Sequence, residues 1–410
     1  MLNEEKLKSF TLKSYAKDIV KVNDHIYFFI GYGHSNAIAI IAHHSVILVD
    51  TLDSDVRSKI LLEDLKKITD KPVKTIIFTH GHPDHRGGAA TFKDTVEEII
   101  AFDSMKMPPK YFDRITPFLN ERGEKQFGIA LSDEEAISQG IGIREGRAVN
   151  EGTYQFLKPT TLYHEDKIER DIDGIHLELV RAPGECDDEL FIYLPDDKVM
   201  CAGDNYVGCF PNLYAIRGTP YRDVTVWIET LERMLTYDIE YFLPGHGPLL
   251  QTQAKIKEVI GNYKDAIESI LFQTLDCMRQ GMTLDETVQA VHLEDKYQSL
   301  EYLEEYYGTV EWSVKSIYNG YVGWFDGNVN QLMPVSLNVY NKTLLELIGE
   351  DKLIEKVKNL MQKEEYQLAL QLLELVDDYK DLKKECLLNR AKQMTSANAR
   401  HYFICAAKEL

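Results

Sequence analysis

The sequence predicts an α+β protein in two parts, the first rich in strands and the second all helical. Three observations predict it. Short β-branched runs punctuated by Gly, Asn and His recur up to about residue 250. From about Gln253 that pattern gives way to long amphipathic segments without strand signals. A chain of 410 residues is also long for one hydrophobic core. The boundary is placed near Leu250, giving parts 1–250 and 251–410.

Taken in order, His25–Ile30, Ala37–Ala42 and Ser45–Asp50 are predicted strands. Asp55–Ile68 is a predicted helix, because Val56, Ile60, Leu61, Leu65 and Ile68 share one face. Lys71-Pro72 breaks it, and Val73–Phe78 resumes as a strand. Further strands are expected at Glu98–Phe102, His176–Ala182, Leu190–Leu194, Lys198–Ala202 and Ile239–Leu243. Gly123–Asn150, with five glycines and mixed charge, reads as an irregular insertion. Helices are expected over Ala254–Arg279, Thr283–His292, Val310–Gly320, Lys342–Leu347, Asp351–Met361, Glu365–Leu375 and Lys380–Met394, in a run ending near Leu410.

Bulk charge narrows the function. Lys and Arg total 46 against 66 Asp and Glu, a net charge of -20. That balance argues against a nucleic-acid partner, which needs a cationic footprint. An anionic substrate would require its own local Arg or Lys. The charged N-terminus lacks an apolar signal region, and no apolar run is long enough to span a membrane. Six cysteines without CxxC pairing read as reduced thiols. Together these features predict a cytoplasmic protein.

The chemistry concentrates in Thr79-His80-Gly81-His82-Pro83-Asp84-His85-Arg86-Gly87-Gly88, which follows a strand and precedes a predicted helix. In an extended segment His80 and His82 point the same way, and beyond the Pro83 turn Asp84 and His85 are free to address a second metal. Imidazole and carboxylate suit zinc, and two metals are able to share a bridging hydroxide. A His-rich surface loop is the plain alternative, weakened by the scarcity of His elsewhere.

His-x-His-x-Asp-His resembles the signature of the metallo-β-lactamase superfamily. The resemblance implies an αββα sandwich with two divalent metals, zinc by ligand preference, and further ligands each just after a strand. On that basis Asp204 in Ala202-Gly203-Asp204 is expected to bridge the metals, and His246 in Pro244-Gly245-His246-Gly247 to be the terminal ligand. Asp50 matches a position that orients a ligand. Ala182-Pro183-Gly184-Glu185 carries Glu where most members have His, which resembles the alkylsulfatase branch. Glu185 is therefore the expected ligand, with Glu189 in reserve.

More of the chain resembles that branch. Asn212-Leu213-Tyr214-Ala215-Ile216-Arg217-Gly218 followed by Tyr221-Arg222 is similar to its sulfate-holding segment, implying Asn212, Arg217 and Arg222 at a sulfate group. Ser313–Tyr318, Gly323–Asn328 and His401–Leu410 resemble its helical dimerisation domain, implying a homodimer. The chain is read as lacking the sterol-carrier-like domain that follows in full-length relatives. The resemblance thus implies a binuclear hydrolase of sulfate esters acting through a metal-bridging hydroxide. One ion is assigned to His80, His82 and Glu185, the other to Asp84, His85 and His246. Hydrolysis of a lactone, thioester or phosphodiester is the alternative, disfavoured because those branches keep His at position 185.

Overall fold

Every side chain of Val46–Val49 is buried, and alternate residues enter different cores, Ile47 and Val49 on one side and Val46 and Leu48 on the other. A strand covered on both faces reads as a continuous apolar run. The computed structural model, which describes residues 3–106 and 109–410, builds four layers from this pattern.

The first sheet takes seven strands in chain order: β1 (Asp18–Lys21), β2 (Ile26–Ile30), β3 (Ala37–Ile41), β4 (Val46–Val49), β5 (Val73–Ile77), β6 (Glu98–Phe102) and β7 (Thr161–Tyr163). Pairing is antiparallel from β1 to β4 and parallel from β4 to β7. The second sheet runs in order from β8 (Lys167–Ile172) through β9 (Ile175–Arg181), β10 (Leu190–Leu194), β11 (Val199–Gly203) and β12 (Tyr241–Pro244) to β13 (Leu250–Gln251). Its one parallel pair is β11 with β12. Phe28, Ile38 and Ile77 of the first sheet meet Leu179, Ile192 and Leu243 of the second in the central core.

Helices close the two outer faces. α1 (Asn3–Ser14) precedes the sheet and stacks Phe10 on Tyr306. α2 (Asp55–Ile68) begins where the Ser54 hydroxyl accepts from the Arg57 amide, which satisfies one donor of the first turn. Its Leu61 and Leu65 pack on Val46, Leu48 and Phe78. α3 (Pro83–Arg86) is a single turn, and α4 (Thr116–Phe127) and α5 (Asp133–Ala136) lie in the following excursion. α6 (Val224–Leu235) and α7 (Gln253–Arg279) cover the second sheet, with Trp227, Leu231, Ile256 and Tyr263 against Phe191, Met200 and Phe242. The result is an αββα sandwich followed by helices.

The remaining long helices are Val310–Val322, Leu337–Ile348, Glu350–Gln362, Tyr366–Leu373, Lys380–Lys392 and Ala397–Lys408. Ile354, Val357, Leu360, Leu373 and Leu387 form a separate core among them. The last helix returns to the sandwich, where His401 Nδ1 donates to the Gln126 carbonyl at 2.8 Å and Arg400 Nε to the Glu135 carbonyl at 2.9 Å. All six cysteines are unpaired.

The structure corrects parts of the sequence reading. Gly123–Asn150 is not irregular throughout, since it holds the end of α4 and all of α5. The predicted helix Lys342–Leu347 is part of a longer one, Leu337–Ile348. β8 (Lys-Ile-Glu-Arg-Asp-Ile) was not expected; it is an edge strand whose Lys167, Glu169 and Asp171 face solvent, the usual protection of an exposed edge. α6 was also not expected, although Val224, Trp227, Ile228, Leu231 and Met234 keep helical spacing and are buried.

Candidate metal centre

β4 and β5 run parallel, as do β11 and β12, and β9 runs with β11 because both are antiparallel to β10. The segments leaving these strands therefore gather at one edge of the sandwich. They carry Asp50 after β4, Thr79 to His85 after β5, Glu185 after β9, Asp204 after β11 and His246 after β12. Gly203 takes φ +60 before Asp204, a conformation that glycine adopts without strain. At Gly245 a β-carbon would lie 2.2 Å from Asp204 Oδ1.

All seven residues expected to hold metal are brought together, in two groups sharing Asp204. In the first, His80 Nε2 is 2.9 Å from His82 Nδ1 and 3.8 Å from Asp204 Oδ2. His82 Nδ1 is 3.6 Å from Glu185 Oε2. In the second, His85 Nε2 and His246 Nε2 are 3.4 Å apart. They reach Asp84 Oδ2 at 3.4 and 3.3 Å, and Asp204 at 3.4 and 3.1 Å.

The outward ring nitrogens show which lone pairs face inward. His85 Nδ1 donates to Asp50 Oδ2 at 2.7 Å. Thr79 Oγ1 donates to the same oxygen at 2.8 Å and so is left to accept from His80 Nδ1 at 3.0 Å. His246 Nδ1 donates to the carbonyls of His34 and Ile141 at 3.0 and 3.1 Å. An imidazole whose Nδ1–H is engaged offers Nε2 as a donor to metal. His82 is turned the other way, with Nδ1 inward and Nε2 beside Cys186 Sγ at 3.2 Å.

This donor set fits divalent cations. Bare nitrogens this close repel unless a proton or metal lies between them, and Asp204 Oδ1 is buried without a hydrogen-bond partner. Burial by itself lowers the pKa of His85 and His246. The carboxylates outweigh it, holding His85 well above its ordinary value through Asp204, Asp84 and Asp50, and His246 at about 10 through Asp204 and Asp84. His80, by contrast, is driven well down by burial and by the charge of His85.

Asn212 and Arg222, expected at a sulfate group, both turn to Glu185. Arg222 Nη1 donates to Glu185 Oε1 at 2.7 Å and to the Asn212 carbonyl, and Asn212 Nδ2 donates to the same Oε1 at 3.2 Å. Arg222, expected at a sulfate group, thus engages Glu185 through Nη1, while it also lines the cavity. Glu185 Oε2 remains toward His82. Burial would raise the Glu185 pKa, but Arg222 and His82 bring it to about 2. Arg217 behaves differently: half-buried, it lines the cavity with Nη2 3.3 Å from His82 Nε2, and it forms no ion pair among the described residues.

The reserve ligand Glu189 does not join either group. Its Oε1 accepts from the Asp204 amide at 2.6 Å and its Oε2 from the Cys186 amide at 3.4 Å. Burial first, then the charges of Asp204 and Glu185, raises its pKa well above the ordinary range. Two residues at the site were given no role in the sequence reading. Thr79 bridges Asp50 and His80. His34 lies in the loop between β2 and β3, where its position in Gly31-Tyr32-Gly33-His34-Ser35-Asn36 was the one available hint. Burial takes the His34 pKa down to about 4.

Both groups open on a cavity of about 710 Å³. Arg147, Arg217 and Arg222 line it, together with Phe112, Leu119 and Phe127.

Comparison with known proteins agrees with this architecture. Residues 30–246 match the metallo-beta-lactamase superfamily and residues 283–410 match the alkyl sulfatase dimerisation family. The chain is 32% identical over 388 residues to a linear primary-alkylsulfatase of Pseudomonas sp., covering 90% of this chain and 72% of that protein. It is 28% identical over 367 residues to an alkyl/aryl-sulfatase of Saccharomyces cerevisiae, covering 85% and 56%. The solved stereoselective inverting sec-alkylsulfatase Pisa1 from Pseudomonas sp. shares the fold, with a TM-score of 0.87 at 21% identity over 99% of this chain and 67% of that one. The chain belongs to the metallo-β-lactamase superfamily, in its alkylsulfatase branch, and is a metal-dependent hydrolase.

Proposed function

We propose that the protein hydrolyses sulfate monoesters with an alkyl leaving group, using two divalent ions, zinc in the first instance. The observation that carries this reading is the pairing of a filled Glu185 subsite with an unpaired Arg217. Arginine is a donor only. With a metal on His82 Nδ1, Nε2 carries a proton, so the contact between Arg217 and His82 is donor against donor. The Arg217 fork is then left for an anion entering the cavity, and its geometry matches tetrahedral oxyanions.

His80, His82 and Glu185 would hold one ion, Asp84, His85 and His246 the other, and Asp204 would touch both. Ions bound there would supply Lewis acidity and a water acidic enough to react near neutral pH. The chain's own residues do the rest. Asp50 and Thr79 fix the tautomers of His85 and His80, Arg222 and Asn212 hold Glu185 with one oxygen inward, and Arg217 orients the sulfate. Phe112, Leu119 and Phe127 offer apolar surface for an alkyl chain. Arg217 is also needed on charge grounds, since Asp84, Glu185 and Asp204 cancel most of the charge of two divalent ions.

No helix among the described residues is long and apolar enough to cross a membrane. The helical part from residue 251 is assigned to assembly as a homodimer. Its exposed apolar residues, including Trp324, Met333, Leu337 and Leu347, form the kind of surface that a partner covers.

The reading is tested by incubating the metal-loaded chain with dodecyl sulfate, a lactone, a thioester and a phosphodiester. Release of inorganic sulfate, lost on chelation and restored by zinc, is expected. Turnover of one of the other esters without sulfate release would transfer the site to that substrate class.

A further inference from the structure

His34 has a use that the ligand set above does not assign. It is buried, at 3% exposure, and it faces the cavity. Its Nδ1 is 3.0 Å from the Ile143 carbonyl. A carbonyl only accepts, so Nδ1 carries the proton and Nε2 is left with its lone pair. A ligand atom of His34 lies within 4.8 Å of ligand atoms of both Asp84 and His246.

The loop around it is built to hold this position. The His34 amide donates to Asp53 Oδ1 at 2.9 Å, and Arg57 Nη1 donates to the same carboxylate. The His34 carbonyl receives His246 Nδ1 at 3.0 Å. Ser35 Oγ donates to the Asp84 carbonyl at 2.7 Å, and Asn36 Nδ2 to the carbonyls of Pro244 and Gly247 at 3.1 and 2.9 Å. His34 thus holds the His246 ring, and Ser35 and Asn36 hold the backbones that carry Asp84 and His246. Gly142 presses on the loop from outside, where a β-carbon would lie 2.0 Å from the His34 carbonyl oxygen. Such preorganisation exceeds what a space-filling histidine needs, and it keeps a ligand atom of His34 within 4.8 Å of ligand atoms of Asp84 and His246.

We propose that His34 Nε2 is an eighth protein donor, binding the same cation as Asp84 and His246. The proposal rests on the two-ion reading above and makes the two positions unlike. The first has His80, His82, Glu185 and the shared Asp204; the second has Asp84, His85, His246, His34 and the shared Asp204. The richer set suits an ion that accepts more than four ligands, whereas zinc in closed sites is held by four. The ions then bind with unequal affinity and load in steps.

The test is cobalt(II) titration of the full metal-free chain, followed by chelator competition and visible absorption. Wild type is expected to show two separable steps. His34→Ala should weaken one step about tenfold or more and alter the absorption of that step, while leaving the other in place. Two unchanged steps with an unchanged spectrum in His34→Ala would overturn the assignment of His34 alone. A wild-type chain that saturates at one cobalt ion would overturn the two-ion reading, and two ions entering in a single step would overturn this proposal. Should His34→Ala not fold, isotope-labelled cadmium and histidine in the wild-type chain decide by NMR. Coupling between the metal and His34 Nε2 supports the assignment, and its absence overturns it.

Discussion

Arg222 Nη1 donates to Glu185 Oε1 at 2.7 Å, and both side chains are almost wholly removed from solvent. Breaking a buried pair by removing one member costs more than the pair contributes, because the remaining charge is stranded. Arg222→Ala should destabilise the metal-free chain by about 3–5 kcal/mol, and Arg222→Ala with Glu185→Gln should recover much of that. The pH dependence has a definite sign. The Glu185 pKa is lowered from 4.5 to about 2, so the pair's contribution is complete above about pH 4.5 and lost as pH falls toward 2. Urea denaturation of the three proteins at pH 7 and pH 4 checks both statements.

Glu185 and Glu189 compete for one role in the sequence and take different roles in the structure. Glu185→Gln should lower metal affinity at least tenfold, on the scale of losing a ligand contact. Glu189→Gln should leave metal content unchanged, since Glu189 serves the amides of Asp204 and Cys186. Metal analysis after equilibrium dialysis of both variants distinguishes the two. Loss of metal only in Glu189→Gln would reverse the assignment.

Asp50 accepts from the Thr79 amide, the Thr79 hydroxyl and His85 Nδ1. Asp50→Asn keeps the size but removes a charge that fixes the His85 tautomer. Metal affinity should fall about 10–100-fold with the fold intact. Chelator competition beside far-UV circular dichroism reads the two effects separately.

Arg217→Ala should cut kcat/KM on an alkyl sulfate about tenfold or more while metal content stays unchanged, the loss of a charge-assisted contact to the anion. Arg217→Lys should recover only part of it, because an ammonium is a point charge without the planar fork. Unchanged kinetics in Arg217→Ala would remove this residue from the sulfate.

Trp324 is 72% and Leu337 76% exposed, too much apolar surface to leave unpartnered. Size-exclusion chromatography with light scattering should find a dimer for the wild type. Trp324→Glu with Leu337→Glu should shift the mass toward monomer and leave metal content alone.

Part of the centre was legible in one dimension. His80, His82, Asp84 and His85 are neighbours along a strand end and a single turn, so spacing alone aims them at a common region. Asp204 and His246 were expected from the resemblance, each standing after an apolar strand, and the parallel pairing of β11 with β12 brings those strand ends to one edge. The central strands were legible through continuous apolar runs.

The remainder was decided in three dimensions. Residues 182–189 offer several carboxylates, and only the fold sends Glu185 inward while Glu189 takes two backbone amides. Two arginines in one segment looked equivalent and both line the cavity, yet only Arg222 pairs with Glu185. The glycine-rich stretch after α5 looked like filler, but its Ile141 and Ile143 carbonyls set the tautomers of His246 and His34. Spacing along the chain specifies neighbours within one strand or turn. Which loops from two sheets meet, and which lone pair each ring presents, depends on register and packing spread over many weak contacts that no single motif encodes.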